Sequence, residues 1–189
     1  MINRTETELK LELNAQEFED CQQKLLNLGC KKIKTSALSD YFFDIKKFDE
    51  KGWDFTRIRV YDDKDYEKTT KIWKLNEKKE RIREEIEEKS SKLELDDKIS
   101  IGNYLKANKT RTDYSGTVLD YPTVFSFDKI VFPDETRYFL EAELEGVPAD
   151  DSDSIRPKIK MWLLDNLQLS DRAEGIGMMK LVLIKTGMI

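Results

Sequence analysis

The chain has 189 residues, of which 38% are charged and 39% are hydrophobic, whereas a typical soluble domain has roughly 25% charged residues. The 33 Lys and Arg residues nearly balance the 38 Asp and Glu residues, for a net charge of -5, so the bulk charge predicts neither a basic nucleic-acid binder nor an acidic tail. The length favours one domain over residues 1–189, and no apolar stretch reaches the roughly 18 residues of a membrane span.

The first predicted elements are a strand and a helix. From Glu6 to Leu13, charged and mostly apolar residues alternate with period two, which is typical of a strand with one charged face. Asn14, with Glu17 three residues later, has the capping-box arrangement of a helix start. Apolar residues then recur at helical spacing until Gly29, so we expect one amphipathic helix.

The next part of the chain is rich in aromatic and β-branched residues separated by charged turns. This composition predicts successive antiparallel strands at 41–43, 56–61, 69–75 and 80–88. A polar stretch over about 96–106 is compatible with a helix. Further strands are predicted at 109–114, 117–119, 123–131 and 137–145, and the turn Gly146-Val147-Pro148 closes the last of them.

The C-terminal part predicts at least one more amphipathic helix. Ser154 is in place to cap a helix whose apolar residues share one stripe; these are Ile155, Ile159, Trp162, Leu163 and Leu167. The final apolar segment, 178–184, is compatible with either a helix or a strand.

The chain contains no histidine. This excludes Ser-His-Asp and Cys-His triads, histidine-ligated zinc and an imidazole general base, so proton transfer falls to carboxylates, lysine, tyrosine or metal-bound water. The two cysteines, Cys21 and Cys30, lie nine residues apart, which fits neither a zinc knuckle nor a disulfide framework. We expect them to be reduced, structural thiols in a cytoplasmic protein.

Charged side chains share one face in several of the predicted strands. One such strand is explained by a face in contact with water, but the pattern recurs in segments far apart in the sequence. We therefore predict a barrel with charged faces inward around a solvated interior and apolar faces outward beneath the helices. The charged positions are Glu6, Glu8, Lys10, Arg57, Arg59, Arg81, Arg83, Glu85, Glu87, Lys109, Arg111, Glu141, Glu143 and Glu145.

The cations among these positions suit a ligand with several negative charges, because arginine binds phosphate oxygens bidentately and lysine adds a point charge. The carboxylate pairs Glu6/Glu8 and Glu141/Glu143 would repel such a ligand unless a divalent cation lay between them. An all-oxygen site of this kind suits Mg²⁺ or Mn²⁺. The pattern therefore predicts a polyphosphate bound together with Mg²⁺ or Mn²⁺.

Six short motifs resemble those of the CYTH proteins, also called triphosphate tunnel metalloenzymes, in the order of that family. An ExExK motif alone would arise by chance in a chain with 38% charged residues, but six motifs in order are specific. They are Glu6-Thr7-Glu8-Leu9-Lys10, Asp40-Tyr41-Phe42, Arg57-Ile58-Arg59, Arg83-Glu84-Glu85-Ile86-Glu87, Lys109-Thr110-Arg111 and Glu141-Ala142-Glu143, with Asp128 at a further acidic position.

The resemblance implies an α+β fold, an eight-stranded antiparallel β-barrel whose tunnel binds triphosphates with a divalent metal, with amphipathic helices packed outside. The implied metal ligands are Glu6, Glu8, Asp128, Glu141 and Glu143. The implied phosphate-binding residues are Lys10, Arg57, Arg59, Lys74, Arg81, Arg83, Lys109 and Arg111. Lys10, Lys74, Glu85 and Glu87 are the expected catalytic residues.

Two assignments stay open. The tunnel lysine that follows the RxR motif is either Lys71 or Lys74, and we favour Lys74 because it is nearer to Arg83 in the sequence. Glu85, Glu87 and Asp128 are each compatible with binding metal, positioning water or neutralising arginines.

The implied activity is the hydrolysis of inorganic tripolyphosphate or of an organic triphosphate such as thiamine or nucleoside triphosphate. A class IV adenylyl cyclase is an alternative, although such cyclases typically carry a His-Phe pair ahead of ExExK. A non-catalytic binder of polyphosphate or nucleotide is another, and an RNA 5′-triphosphatase is a variant that lacks a broad basic surface here. We expect a small-molecule triphosphate as the partner, no membrane or nucleic-acid partner, and a monomer or homodimer.

Overall fold

The computed structural model describes residues 7–49, 52–75, 81–148 and 151–188, with backbone alone at 81–83 and 152–153. Within these residues it contains eight strands and four helices. The elements are β1 (Thr7–Leu13), α1 (Ala15–Asn27), β2 (Lys31–Lys47), β3 (Trp53–Tyr61), β4 (Asp65–Leu75), β5 (Arg81–Lys89), α2 (Lys92–Ile101), β6 (Leu105–Val118), β7 (Tyr121–Val131), β8 (Thr136–Leu144), α3 (Ser152–Asn166) and α4 (Met178–Lys185).

The eight strands form one sheet in the order β1-β8-β7-β6-β2-β3-β4-β5. The ladders β1–β8, β8–β7, β7–β6, β2–β3, β3–β4 and β4–β5 are antiparallel. The predicted α+β class with eight antiparallel strands is thus confirmed. A closed barrel would also need β1 to pair with β5, and no such ladder occurs among the described residues, so the sheet is open in its hydrogen-bonded order.

The backbone of β1 has other hydrogen-bond partners at its outer edge instead. Leu11 forms an isolated antiparallel bridge with Glu174, and the Gly175 amide donates to the Lys10 carbonyl at 2.7 Å. Arg172 donates to the Glu12 carbonyl at 3.0 Å. These bonds satisfy edge groups that a further strand would otherwise pair.

The chain divides into two compact units: residues 1–36 with 109–176, here the first unit, and residues 37–108 with 177–189, the second unit. In the first unit, α1 and α3 cover the apolar face of the strands. Buried residues of both helices, such as Cys21 and Ile159, belong to one core with Leu9, Phe127 and Leu140. This confirms that the two predicted amphipathic helices pack on the apolar side of the strands, where each buried Leu or Phe contributes roughly 1.5–3 kcal/mol.

The second unit has two smaller cores. Leu95 of α2 packs with Phe43 and Ile58, whereas α4 packs with Phe42 and with partly buried Phe55. Because Phe42 and Phe43 are adjacent in β2, their side chains point to opposite faces of the sheet. Helix α4 therefore lies on the same face as Arg57, which is two residues from Phe55 in β3.

Several boundaries differ from the sequence prediction. The strand predicted at 41–43 lies within β2, which spans 17 residues, and the segments predicted at 109–114 and 117–119 form the single strand β6, which ends at Val118. Helix α2 begins earlier than expected, capped by the Ser91 side chain, which accepts from the Glu94 amide at 3.2 Å. Ser154 lies inside α3 and donates to the Asp151 carbonyl instead of capping the helix.

The capping box at Asn14 is confirmed, with both reciprocal bonds at 2.9 Å. The final apolar segment is the helix α4. None of the helices in the described part of the chain has the length and apolar character that crossing a membrane requires.

Candidate functional site

Each unit carries charged side chains on one face of its strands. The first charged face comprises Lys10, Lys109, Arg111, Asp128 and Glu141, and the second comprises Arg57, Arg59, Glu67, Lys71 and Glu85. In β1, for example, Lys10 alternates with the core residues Leu9 and Leu11, so it points away from the helices. The predicted separation of charged and apolar faces is therefore present in the first unit, whereas in the second unit the charged face also carries Phe42 and Phe55, against which α4 packs.

Asp128 is the centre of the first charged face. It is fully buried and lies directly opposite Arg111 in the β6–β7 ladder. Arg111 donates to both of its carboxylate oxygens, from Nε and Nη2, at 2.7 Å each, and Lys109 donates at 2.8 Å. Burial acts to raise the pKa of Asp128, but the charges of Lys109 and Arg111 outweigh it and hold the pKa well below its ordinary range.

Glu141 belongs to the same cluster, and its side chain is partly exposed. Its Oε2 accepts from Arg111 Nη2 at 2.7 Å and lies 4.0 Å from Lys10 Nζ, and Lys10 is its direct cross-strand neighbour. Burial acts to raise its pKa, but Lys10 and Arg111 lower it to about 2. The Glu141 side chain is thus a carboxylate held by two cations.

Two further carboxylates face each other across the β1–β8 ladder. Glu8 lies directly opposite Glu143, two residues along from the Lys10–Glu141 pair. Like charges directly opposite in a sheet repel, and a pair of carboxylates supplies the oxygen donors that Mg²⁺ and Mn²⁺ prefer. The donor chemistry at this position therefore fits the implied divalent metal.

No group of three or more Asp, Glu or Cys side chains with metal-binding geometry occurs in the described ranges. Glu6, an expected metal ligand, lies outside them. Asp128, another expected ligand, has its carboxylate oxygens directed to Lys109 and Arg111. Its contacts are those of a residue that orients cations.

In the second unit, Asp40 and Arg59 repeat the arrangement of Asp128 and Arg111. Asp40 is fully buried and lies directly opposite Arg59 in the β2–β3 ladder. Arg59 donates from Nε at 2.6 Å and from Nη2 at 2.9 Å to its two oxygens. The sequence motif containing Asp40 carried no predicted role, and the structure gives that residue one.

Arg57 lies beside this pair and has weaker partners. Its Nη2 donates to Thr69 Oγ1 at 2.7 Å and to Glu67 Oε1 at 3.4 Å, while its buried Nε has no hydrogen-bond partner among the described residues. Burial and the neighbouring charge of Arg59 lower the pKa of Arg57 from its ordinary value. The Tyr61 hydroxyl donates to the second oxygen of Glu67 at 3.2 Å, beside a cavity of about 510 Å³.

The structure separates the two candidates for the tunnel lysine. Lys71 lies on the second charged face, 2.8 Å from Glu85 Oε2, as its register between Phe55 and Glu85 requires. Lys74, three residues later, points to the opposite face, where it pairs with Glu84 in an exposed ion pair. The position on the charged face favours Lys71 over the preferred Lys74, because sequence distance to Arg83 ignores the two-residue period of the strand.

The remaining predicted residues are placed by the register of β5. Glu87 lies opposite Thr69 and is exposed. Arg83 and Arg81 lie opposite Trp73 and Leu75 in the ladder. For these two arginines the structure describes the backbone alone. The sequence analysis did not include Glu67 and Thr69 in the charged face. Both lie an even number of residues from Lys71 in β4, so the two-residue period of a strand could have placed them on the same face.

The family and the fold are supported by comparison with known proteins. The family model described as CYTH domain matches residues 4–149, and a search of the curated proteins found no match. Similar solved structures include the PH1012 protein from Pyrococcus horikoshii OT3, with a TM-score of 0.63 and 18% identity over 90% of this chain and 94% of that one.

Two further solved structures share the fold. A conserved hypothetical protein from Pyrococcus furiosus has a TM-score of 0.65 and 17% identity, over 94% of this chain and 100% of that one. HpAC1 from Hippeastrum, described as a putative adenylyl cyclase with a dominant triphosphatase activity, has a TM-score of 0.62 and 17% identity, over 97% and 96% of the two chains. The matching family model shows that this chain belongs to the CYTH family, in agreement with its motifs, its eight antiparallel strands and its charged faces.

Proposed function

We propose that this protein is a divalent-metal-dependent triphosphatase that hydrolyses inorganic tripolyphosphate or an organic triphosphate. The observation that carries the proposal is the first charged face, where Lys10, Lys109 and Arg111 lie together with carboxylates on the side of the strands away from α1 and α3. Such a set binds an anion rich in oxygen acceptors. The membership of the CYTH family supports the same substrate class.

Phosphate binding in this proposal falls to the cations of both charged faces. The phosphate-binding residues of the first face are Lys10, Lys109 and Arg111, and those of the second face are Arg57, Arg59 and Lys71. The buried acids Asp128 and Asp40 orient Arg111 and Arg59, because a guanidinium fixed through two hydrogen bonds keeps one orientation. Positioning and charge neutralisation are the main requirements for phosphoryl transfer, since the protein does little covalent work.

Hydrolysis itself requires water to attack the terminal phosphorus while the bridging oxygen leaves with the electron pair of the broken bond. Lys10 is proposed to stabilise the negative charge that develops on that oxygen, and Lys71 is proposed to bind phosphate on the second charged face. Glu87, exposed on β5, is proposed to orient the water, whereas Glu85 holds Lys71 in place. Glu8 and Glu143, together with Glu6, would hold Mg²⁺ or Mn²⁺, which when bound neutralises phosphate charge and acts as a Lewis acid.

Product identification tests the proposal. The protein is incubated with tripolyphosphate, ATP or thiamine triphosphate, with Mg²⁺, with Mn²⁺ or with a chelator, and the products are separated by chromatography. We expect metal-dependent release of orthophosphate, with pyrophosphate as the second product from tripolyphosphate. Cyclic AMP with pyrophosphate from ATP would instead identify a cyclase, and tight binding without turnover would identify a non-catalytic binder.

A further inference from the structure

Two acids of unequal burial hold the same arginine in the first unit. The Asp128 side chain is 0% exposed and accepts from both Nε and Nη2 of Arg111. The Glu141 side chain is 18% exposed and accepts from Nη2 alone. A buried carboxylate that loses its cation stays desolvated and uncompensated, whereas a carboxylate open to water is rehydrated. The two ion pairs therefore differ in how readily they exchange.

We infer that Glu141 is an exchangeable counter-ion, which neutralises Arg111 and Lys10 in the ligand-free protein and releases them to a phosphate group when a polyphosphate binds. Asp128 keeps its hydrogen bonds to Arg111 in both states. The inference rests on the proposed function, because it takes a polyphosphate as the ligand. It adds a role for Glu141 that precedes any contact with metal.

The geometry supports this exchange in two ways. The Nη2 group of Arg111 that would bind phosphate already donates to a carboxylate oxygen, and phosphate oxygens accept hydrogen bonds from guanidinium in the same manner. Lys10, 4.0 Å from the same oxygen, is a loose partner that can turn to a new anion without a buried bond being broken. Glu141 is thus a competitor for both cations.

Release of Glu141 leaves an uncompensated carboxylate two residues from Glu143, which faces Glu8. The added negative charge of Glu141 beside these two carboxylates is unfavourable, and oxygen donors of this kind suit a divalent cation. Polyphosphate binding at the arginine therefore favours cation binding at the carboxylates, and the coupling is reciprocal by thermodynamic linkage. Substrate binding then depends on metal because the cation compensates the charge of Glu141 once polyphosphate has displaced it from Arg111.

The second unit shows the same division of acids. Asp40, with a side chain 1% exposed, holds Arg59 through two bonds. Glu67, with a side chain 35% exposed, contacts Arg57 at 3.4 Å. One buried anchor and one accessible acid thus recur within each unit.

The test is the metal-free affinity for tripolyphosphate, measured by isothermal titration calorimetry in EDTA at constant ionic strength. Glu141→Gln removes the competing anion, so we expect about a tenfold lower Kd than for the wild type, as the loss of one charged hydrogen bond implies. Glu143→Gln removes the same charge two residues away and should change the Kd less. Glu19→Gln, on the exposed surface of α1, should leave it unchanged.

The outcomes separate this inference from the proposed function. An equal or higher Kd for Glu141→Gln, or an equal gain for Glu143→Gln, overturns the exchange while leaving the wild-type hydrolysis of tripolyphosphate with Mg²⁺ intact. A wild type that neither binds nor hydrolyses tripolyphosphate with Mg²⁺ or Mn²⁺ overturns both. Circular dichroism checks that each variant is folded, and Glu141→Ala, for which the same gain is expected, replaces Glu141→Gln if that variant unfolds.

Discussion

Asp40 lies directly opposite Arg59 across the β2–β3 ladder and accepts two hydrogen bonds from its guanidinium, at 2.6 and 2.9 Å. The pair Asp128 and Arg111 repeats this geometry across β6–β7, with both bonds at 2.7 Å. In each pair the acid is completely buried. Neither acid can lose its cation without leaving a desolvated charge, so removing one partner of either pair destabilises the fold, and each acid also orients an arginine.

The first prediction concerns the stability that these buried acids contribute. Asp128→Asn leaves Lys109 and Arg111 without their carboxylate, so we expect the free energy of unfolding to fall by about 3–5 kcal/mol. The measurement is urea unfolding followed by circular dichroism at neutral pH. Asp171→Asn is the matched control, because Asp171 forms an exposed surface pair with Lys160 and its removal should leave the free energy of unfolding nearly unchanged. Equal losses in the two variants would contradict a structural role for Asp128.

The second prediction distinguishes Lys71 from Lys74. Lys71→Gln removes a cation from the second charged face, so we expect kcat/KM for tripolyphosphate to fall about 100-fold, as loss of a charge-stabilising contact does. Lys74→Gln removes the same charge from the opposite face, where Lys74 pairs with Glu84, and should change kcat/KM less than about twofold. Initial rates of orthophosphate release measure both. A larger loss for Lys74→Gln than for Lys71→Gln would return the catalytic role to Lys74.

The third prediction concerns the carboxylates Glu8 and Glu143. Because these side chains face each other across β1 and β8, we expect them to bind the divalent cation together. Ligand binding raises the thermal stability of the folded state, so Mg²⁺ should raise the Tm of the wild type, and Glu8→Gln should abolish most of that shift along with hydrolysis. Differential scanning calorimetry with and without Mg²⁺ gives the shift, and Glu19→Gln is the charge-matched control. If Mg²⁺ raises the Tm of Glu8→Gln as much as that of the wild type, the metal does not bind at Glu8.

The sequence predicts the strands and their charged faces because both depend on a period of two. Lys10 and Glu141 were assigned to one face from alternation alone, and the β1–β8 register places them directly opposite each other. The sequence predicts helix α1 from the capping-box pattern at Asn14 and Glu17 and from apolar residues at helical spacing up to Gly29, and the structure shows the cap. Local patterns of this kind are independent of long-range packing.

The pairing between distant strands could not be predicted from the sequence. Nothing local to Asp128 indicates that Arg111 lies opposite it, because that contact depends on the β6–β7 register. The sequence therefore implies Asp128 as a metal ligand while leaving it open to positioning water or neutralising arginines, and it assigns Asp40 no role. Helix α4 was ambiguous for a related reason: its apolar residues are buried by Phe42 and Phe55 of distant strands, and a short apolar run does not reveal its secondary structure without those partners.

The last prediction is a pH dependence of stability that originates at Glu17. Arg172 donates to both oxygens of Glu17, at 2.6 and 2.9 Å, and this hydrogen bonding, partly opposed by burial, lowers the pKa of Glu17 from 4.5 to about 2. A carboxylate with a lowered pKa in the folded state stabilises that state fully above the unfolded pKa, and the contribution is lost as the pH falls from 4.5 towards 2. Because the pair is partly exposed, we expect a contribution of about 1 kcal/mol.

The measurement compares the free energy of unfolding of the wild type and of Glu17→Gln in urea between pH 7 and pH 2. The difference between the two proteins should be constant above pH 4.5 and shrink below it, since protonated Glu17 and glutamine carry the same charge. In this difference, the contributions of carboxylates that titrate identically in both proteins to the free energy of unfolding cancel. Glu19→Gln, two residues along the same helix, should show no such change. A Glu17→Gln difference that stays constant down to pH 2.5 would mean that Arg172 does not stabilise the charged form of Glu17 in solution.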